Sequence, residues 1–261
     1  MSFVPTAPLG WRVYRSLVRT RVAYFTRPDP PPDADILRLY AQAEPVPSVA
    51  NLHYPTIVID LEPPEETLWG GVEQKTRKVI RQAEREGAAM RVLTSLSTAD
   101  WQGFAAAYEK LQQRRRKVEA LGVGLIHELI ETDLFVMTLG ADAEGNTVSW
   151  HCYVRCGGRV RLHETVSTIE PERGTQWNNM VGRAHRLHHW KDMLYFKGEG
   201  VRAYDLGGVY RGTEDMEQIN IARFKTSFGG VPAETFDASV PLTAKGRTAL
   251  ALRAGLRSIR P

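Results

Sequence analysis

The sequence has little of what stabilises a secreted or membrane-embedded protein. It contains two cysteines in 261 residues, Cys152 and Cys156. In a strand they would share a face but lie about 13 Å apart, which is too far for a disulfide. No run reaches the ~20 apolar residues that cross a bilayer, and the N-terminus lacks the apolar core of a secretory signal. We therefore predict a reduced, cytoplasmic protein with no membrane span.

Signature motifs of several enzyme classes are also missing. The chain has no Gly-x-Ser-x-Gly turn and no Walker loop, and Gly207-Gly208 alone is not a dinucleotide-binding fingerprint. His185, His188 and His189 have a helical spacing that could hold a metal. The glutamate of the metalloprotease motif does not follow them, and basic residues crowd the same helix. The sequence therefore predicts no metal site.

Positive charge is in slight excess and is unevenly distributed. The chain has 34 Lys+Arg against 30 Asp+Glu, with a net charge of +4 and a pI near 9.1. Basic residues cluster in 12–27, 75–91 and 114–117, and again near the C-terminus. Such clusters are either solvated helix faces or surfaces for a polyanion, such as nucleic acid or a phosphorylated substrate.

The first 53 residues are predicted to be an N-terminal extension, and residues 54–261 a single domain. Within the extension, Trp11–Tyr24 has the pattern of a short amphipathic helix, and Asp33–Ala43 of another. Four prolines in 28–32 predict an extended linker between them.

From residue 54 onward, hydrophobic periodicity predicts alternating strands and helices. The strands are expected at 54–61, 90–93, 134–140, 147–156, 159–168, 204–209 and 231–240. The helices are expected at 63–86, 97–119, 125–130, 176–196, 213–223 and 244–259. An antiparallel meander that passes into alternating helix and strand implies an α+β fold, with a mixed central sheet flanked by helices.

The most distinctive part of the chain is a strand that ends in two glycines, followed by a helix that ends in a lysine. The strand is Tyr204-Asp205-Leu206-Gly207-Gly208, and the helix closes with Phe224-Lys225 before Phe228-Gly229. Together with the upstream helix segment Lys75–Gly87, these motifs resemble the FemABX-like transferases over about residues 54–240. The order of elements resembles the GNAT acyltransferase fold.

This resemblance implies an enzyme that takes an amino acid from aminoacyl-tRNA and joins it to an amine, forming an amide bond. Aminoacyl-tRNA is then a co-substrate, and no cofactor is needed. The best-known members act on peptidoglycan precursors, which bind between two GNAT-like domains. The 53 residues that precede the predicted domain are too few for a second one. We therefore expect a smaller acceptor, either a small molecule or a peptide that carries an amine.

The resemblance places Lys225 near the reacting ester, where a buried ammonium would stabilise the oxyanion of a tetrahedral intermediate. Asp205 is the second catalytic candidate, because it could bind the α-ammonium of the transferred residue or act as a base. It could equally cap the Gly-Gly turn.

The strand that precedes this unit offers two further catalytic candidates, His163 and Glu164, as general bases. Alternation puts Thr165 on the same face as His163, and Leu162 on the same face as Glu164. The substrate-binding candidates flank these residues and are Gly207, Gly208, Tyr210, Arg211, Phe224 and Trp150.

Basic residues of two predicted helices are the candidates for contacts to tRNA phosphates. They are Lys75, Arg77, Lys78, Arg81, Arg114 and Arg115. Two other functions stay open. An acyl-CoA-dependent N-acyltransferase of the same fold would use residues 173–179 as a pyrophosphate loop, although this segment lacks the repeated glycines of such loops. A non-catalytic GNAT-like module would bind RNA or a protein partner through the basic faces.

Overall fold

The computed structural model describes residues 9–12, 18–27, 34–93, 96–115 and 134–258. The strands in these ranges are β1 Leu9–Arg12, β2 Thr20–Tyr24, β3 Ile36–Gln42, β4 Asn51–His53, β5 Thr56–Asp60, β6 Ala89–Leu93, β7 Phe135–Ala141, β8 Thr147–Cys156, β9 Arg159–Ser167, β10 Ala203–Gly208, β11 Val231–Ala233 and β12 Phe236–Pro241. The helices are α1 Glu65–Gly71, α2 Gln74–Arg85, α3 Thr98–Arg115, α4 Gly174–Gly198, α5 Met216–Thr226 and α6 Ala244–Ser258. None of the helices in the described ranges is long and apolar enough to cross a membrane.

A mixed seven-stranded sheet forms the centre of the fold. Its strand order is β11-β5-β10-β9-β8-β7-β6. Strands β6 to β9 form an antiparallel meander, whereas β10 runs parallel to β9. Parallel neighbours need a crossover connection, which α4 provides. The predicted α+β class, with a mixed sheet flanked by helices, is confirmed.

Helices cover both faces of this sheet. On one face, α2 and α4 contribute Ile80 and Leu187 to a core that includes Tyr153 of β8. On the other face, α3 contributes Phe104 to a core that includes Trp150 of β8. Trp150 and Tyr153 are three residues apart and so point to opposite faces, as strand alternation requires.

A second, five-stranded sheet contains most of the described residues before position 54. Its strand order is β1-β2-β3-β12-β4. The helices expected at Trp11–Tyr24 and Asp33–Ala43 are therefore wrong, because these segments contain β1, β2 and β3. β3 pairs antiparallel with β12 from the far end of the chain, and this tertiary pairing outweighs the local helical pattern. The division of the chain at residue 53 stays a prediction, and the linker prolines lie outside the described residues.

The single helix expected over residues 63–86 is instead α1 followed by α2. The chain is extended at Val72, and the backbone N–H of Glu73 donates to the carbonyl oxygen of Ser227 at 2.9 Å. The guanidinium of Arg77 donates to two carbonyl oxygens at the end of α1, at 2.9 and 3.1 Å. These tertiary bonds satisfy backbone groups that a continuous helix would have paired internally.

The single strand expected over 231–240 is also divided, into β11 and β12. β11 pairs with β5 in the large sheet, whereas β12 pairs with β3 and β4 in the small one. The chain therefore crosses between the two sheets at Glu234 and Thr235. The short helix expected at 125–130 lies outside the described residues.

Candidate active site at the end of strand β10

The parallel pairing of β9 and β10 ends early and opens the sheet between them. β10 pairs with β9 from Ala203 to Asp205 only, and then bulges against β5. Within the bulge, Gly207 has φ +72°. A Cβ atom on Gly207 would lie 2.9 Å from the carbonyl oxygen of Leu162 in β9, so a larger residue would require a backbone shift. The strands therefore diverge within the Tyr-Asp-Leu-Gly-Gly motif.

Asp205 is buried at this divergence, and both carboxylate oxygens accept hydrogen bonds. Oδ1 accepts from the backbone N–H of Gly207 at 2.8 Å and from the hydroxyl of Thr56 in β5. Oδ2 accepts from the guanidinium of Arg159 in β9 at 2.5 Å, and Nη1 of Arg161 lies 3.9 Å away. The turn cap expected from the sequence is present, and the same carboxylate ties β5, β9 and β10 together.

Lys225, at the end of α5, lies against the same bulge. Its ammonium donates to the carbonyl oxygen of Gly208 at 2.5 Å, and Nζ lies 4.0 Å from the Cβ position of Gly207. Burial lowers the pKa of Lys225 to about 8; the charge of Asp205 opposes this shift and that of Arg161 adds to it. At neutral pH the amine is still mostly protonated. The structure therefore places a half-buried ammonium where β10 leaves β9.

The far side of this opening is lined by aromatic and charged side chains. A Cβ atom on Gly208 would lie 2.5 Å from the Tyr54 ring, so the glycine makes room for that ring. Tyr210 follows at the surface with 37% of its area exposed. Arg211 forms an ion pair with Glu234. Tyr210 and Arg211 therefore lie at the rim, beyond the glycines.

The alternation predicted along β9 is wrong, because the strand bulges at His163. The register with β8 skips this residue. Leu162 belongs to the core under α4, and the hydroxyl of Thr165 lies 3.2 Å from Nε2 of His185, also in α4. Leu162 and Thr165 thus face the same side, although regular alternation puts them on opposite sides.

The two candidate bases, His163 and Glu164, lie at this bulge. Burial, with a smaller contribution from the charge of Arg161, lowers the pKa of His163 to about 4. The ring is therefore neutral and only weakly basic at neutral pH. Glu164 lies opposite Cys152 of β8, which belongs to the core under α3, so Glu164 points to that face of the sheet.

Trp150 and Phe224 lie on opposite faces of the sheet. Trp150 is buried beneath α3 and lines a cavity of about 170 Å³ that Lys110 and Arg114 also line. Phe224 instead packs on two histidines of α4, with its ring centre 5.4 Å from that of His185. Of the two, Phe224 is the one that lies next to Lys225.

The histidines under Phe224 form a larger buried group than the sequence spacing indicates. His151 of β8 lies among them, with ring centres 4.1 Å from His189 and 3.6 Å from His188. Sequence reasoning identified the three members on α4 but missed His151. The β8 strand contributes it through packing against α4, which no local pattern encodes.

The basic residues proposed for tRNA contacts divide between the two faces. Lys75, Lys78 and Arg81 are exposed on α2, and Arg81 lies 5.3 Å from the centre of the Trp69 ring. The Arg77 guanidinium donates to carbonyl oxygens at the end of α1. Arg114 lies on α3, on the other face, so the two helices do not form one patch; the Arg115 side chain is outside the described residues.

Two side chains of the segment considered as a pyrophosphate loop contact neighbouring residues. The guanidinium of Arg173 lies 3.2 Å from the centre of the Trp177 ring. The Asn178 amide bonds both the backbone N–H and the carbonyl of Glu170, at 2.8 and 3.0 Å. Gly174, with φ +81°, starts α4 and is the one glycine of the segment.

Comparison with known proteins finds similarity in structure rather than in sequence. No family model and no curated protein matches the chain. The structure is similar to FemX, with a TM-score of 0.62 and 11% identity over 87% of this chain and 82% of FemX. It is similar to L-PGS from Bacillus licheniformis, with a TM-score of 0.51 and 10% identity over 83% of this chain and 71% of that one.

A third similar structure is the C-terminal domain of a putative lysylphosphatidylglycerol synthetase from Agrobacterium fabrum. Its TM-score is 0.51, with 11% identity over 82% of this chain and 70% of that one. At such low identity the similarity concerns the fold. The chain has the GNAT acyltransferase fold, and its resemblance to the FemABX-like transferases is confirmed at the level of structure.

Proposed function

We propose that this protein is an aminoacyltransferase that moves an amino acid from aminoacyl-tRNA to the amine of a small molecule or peptide. The observation that carries the proposal is the position of Lys225. Its ammonium lies at the opening between β9 and β10, bonded to Gly208 at the end of the Tyr-Asp-Leu-Gly-Gly motif. The similarity to FemX supports the same assignment.

The reaction needs few catalytic groups. The free amine attacks the carbonyl carbon of the aminoacyl ester, a C–N bond forms, and the C–O bond to the tRNA ribose breaks. The proton lost by the amine passes to the departing ribose oxygen. Between these events the carbonyl oxygen carries negative charge, which the Lys225 ammonium would stabilise in a site sheltered from water.

Asp205 supports this site rather than taking the proton. Oδ1 accepts from Gly207 and Thr56, Oδ2 accepts from Arg159, and Arg161 lies 3.9 Å away. The carboxylate holds the Gly207 bulge in place, and the bulge presents the Gly208 carbonyl to Lys225. We therefore assign Asp205 a positioning role.

The choice of donor rests on the segment before α4. A CoA pyrophosphate needs several free backbone N–H groups and close backbone approach. Here the segment has one glycine, and the Arg173 and Asn178 side chains already contact Trp177 and Glu170, which favours charged tRNA over CoA. The exposed basic side chains of α2, Lys75, Lys78 and Arg81, could contact tRNA phosphates independently of sequence. The second candidate is an acyl-CoA-dependent N-acyltransferase of the same GNAT fold.

The test is a coupled assay in which a tRNA pool is charged in situ with labelled amino acids. Purified protein and a panel of amines are added, and new amides are detected by mass spectrometry. RNase added before the protein should abolish the product. A parallel reaction replaces the charged tRNA with acyl-CoA.

Amide formed from charged tRNA and lost after RNase would support the proposal. Amide formed from acyl-CoA after RNase treatment would replace it with the second candidate. A Lys225→Met variant should lose the activity, and Lys197→Met is its matched control. Lys197 also donates to backbone carbonyls, but it lies at the far end of α4. This variant should retain the wild-type rate.

A further inference from the structure

A buried cluster of four histidines and one aspartate lies between β8 and α4. His151, His188, His189 and Asp192 are each no more than 1% exposed, and His185 is partly covered by Phe224. Burial lowers the pKa of His151 to about 3, and burial together with neighbouring rings lowers the pKa of His185 and His189 well below the usual value. A neutral imidazole has one protonated nitrogen and one nitrogen with a lone pair in the ring plane.

Hydrogen bonds determine which nitrogen carries that lone pair on two of the rings. With Asp192 ionised, Oδ2 accepts at 2.6 Å from Nδ1 of His151 and at 2.6 Å from the hydroxyl of Tyr153. Since Tyr153 has one proton, the Tyr204 hydroxyl must donate to Tyr153, at 2.6 Å. Tyr204 then accepts from Nδ1 of His189, at 3.2 Å. Both histidines are thus protonated on Nδ1.

The opposite nitrogens of these two rings are left without partners. Nε2 of His151 and Nε2 of His189 are buried and have no hydrogen-bond partner among the described residues. A buried polar atom without a hydrogen bond destabilises the folded state, so these two nitrogens need an explanation. Both carry lone pairs, and a cation would satisfy both.

His185 completes the set. It precedes His189 by four residues, so the two rings lie on one face of α4. The ligand atoms of His151, His185 and His189 lie within 4.8 Å of one another. Nε2 of His185 lies 3.2 Å from the hydroxyl of Thr165, which leaves its other nitrogen for an ion. Each of the three rings is therefore held through one nitrogen by an oxygen atom of a neighbouring side chain.

We propose that His151, His185 and His189 bind a divalent transition metal ion, with Zn²⁺ the best match. Three neutral imidazoles are a common zinc ligand set, and they do not suit Mg²⁺ or Ca²⁺. Ligating histidines usually donate their second N–H to a carboxylate or another oxygen, as Asp192, Tyr204 and Thr165 would accept here. The sequence predicts no metal, because the glutamate of the metalloprotease motif is missing and basic residues crowd the helix; His151 lies outside that helix.

The charge of Asp192 favours a cation at this position. Its carboxylate is fully buried, and its ion-pair partners among the described residues are His151 and His188. No lysine or arginine of the described ranges lies within ion-pair distance of this carboxylate. A buried carboxylate without an opposite charge is unfavourable, and a divalent cation on the other side of His151 would compensate it.

An alternative ligand set, His151 with His188 and Asp192, has similar spacing but the wrong ring geometry. The His151 and His188 rings are stacked at 3°, with centres 3.6 Å apart. Their in-plane lone pairs therefore run side by side and cannot converge on one ion. Both nitrogens of His188 are also bonded, to Thr138 and Ser149 at 2.8 Å each.

The test is the metal content of protein prepared without a histidine tag. Wild type, His185→Gln and His188→Gln are stripped with a chelator, exposed to excess Zn²⁺, dialysed and measured by plasma mass spectrometry. Wild type and His188→Gln should retain about one Zn²⁺ per chain, and His185→Gln less than about a tenth of that. Asp192→Asn should weaken Zn²⁺ affinity by roughly 10- to 100-fold.

Two further readouts do not depend on the variants. Co²⁺ bound by three imidazoles should give visible absorption bands, and Zn²⁺ should raise the Tm of the stripped wild type. Circular dichroism checks that each variant is folded. Wild type that retains no Zn²⁺, or His185→Gln that retains as much as wild type, would overturn the proposal. So would loss of Zn²⁺ in folded His188→Gln with retention in His185→Gln. None of these measurements depends on the proposed acyl transfer.

Discussion

Replacing Asp205 with asparagine should destabilise the protein through a local electrostatic effect. The substitution keeps the size of the side chain, and its remaining oxygen can still accept from Gly207 and Thr56. Its NH₂ group would then face the guanidinium of Arg159, which now donates to Oδ2 at 2.5 Å. A donor would meet a donor, and two arginines would lose their buried counter-charge.

Breaking a buried ion pair by removing one partner costs roughly 3–5 kcal/mol. The Arg159 side chain keeps 20% of its exposure, so water can hydrate part of its charge. We therefore expect Asp205→Asn to lower the free energy of unfolding by about 3 kcal/mol, near the lower end of that range. Equilibrium urea unfolding at pH 7 measures this change.

The control is Glu234→Gln, which removes the acid from an exposed ion pair with Arg211. Exposed pairs contribute little, because both charges are solvated. This variant should unfold at the same urea concentration as wild type. If Asp205→Asn also unfolded at the wild-type urea concentration, the carboxylate would not hold the three strands together, and its positioning role would be refuted.

Three further predictions concern the catalytic cation, the glycine bulge and the basic helix. If Lys225 acts as an ammonium with a pKa of about 8, the transfer rate per free acceptor amine should fall as pH rises above 8. A rate per free amine that rises through pH 8 would indicate that Lys225 acts as a base. Gly207→Ala should lower the free energy of unfolding in urea clearly more than Gly145→Ala. Both positions have positive φ, but only a Cβ atom on Gly207 would meet a backbone atom, the Leu162 oxygen. Equal losses would contradict this close approach. Lys78→Gln should lower the slope of log affinity for tRNA against log salt by roughly 0.7–0.9, measured by filter binding; an unchanged slope would exclude a phosphate contact there.

Much of the large sheet could be predicted from the sequence, because its signals are local. Strand β8 and helices α3 and α4 follow from hydrophobic period alone. The hydrogen bond by which Asp205 caps the Gly207 turn is local as well, since the two residues are two positions apart. The motif around Lys225 also lies within a single strand–helix unit.

The features that could not be predicted depend on distant pairing. β3 lies beside β12 although about two hundred residues separate them, so a local helical pattern in 33–43 was misleading. The β9 bulge at His163 arises from its register with β8, and it reverses the faces of all later residues in that strand. His151 meets the α4 histidines only after the sheet and helix pack. Arg159 and Thr56 reach Asp205 in the same way.

The most direct test of the proposed function is a single-turnover measurement with purified aminoacyl-tRNA and excess enzyme. Lys225→Met should slow the appearance of the amide roughly 100-fold or more, the usual effect of removing one group that stabilises an oxyanion. Lys197→Met should remain within about twofold of wild type, because it lies away from the opening between β9 and β10. Transfer by Lys225→Met at the wild-type rate would contradict the assignment of this opening as the active site.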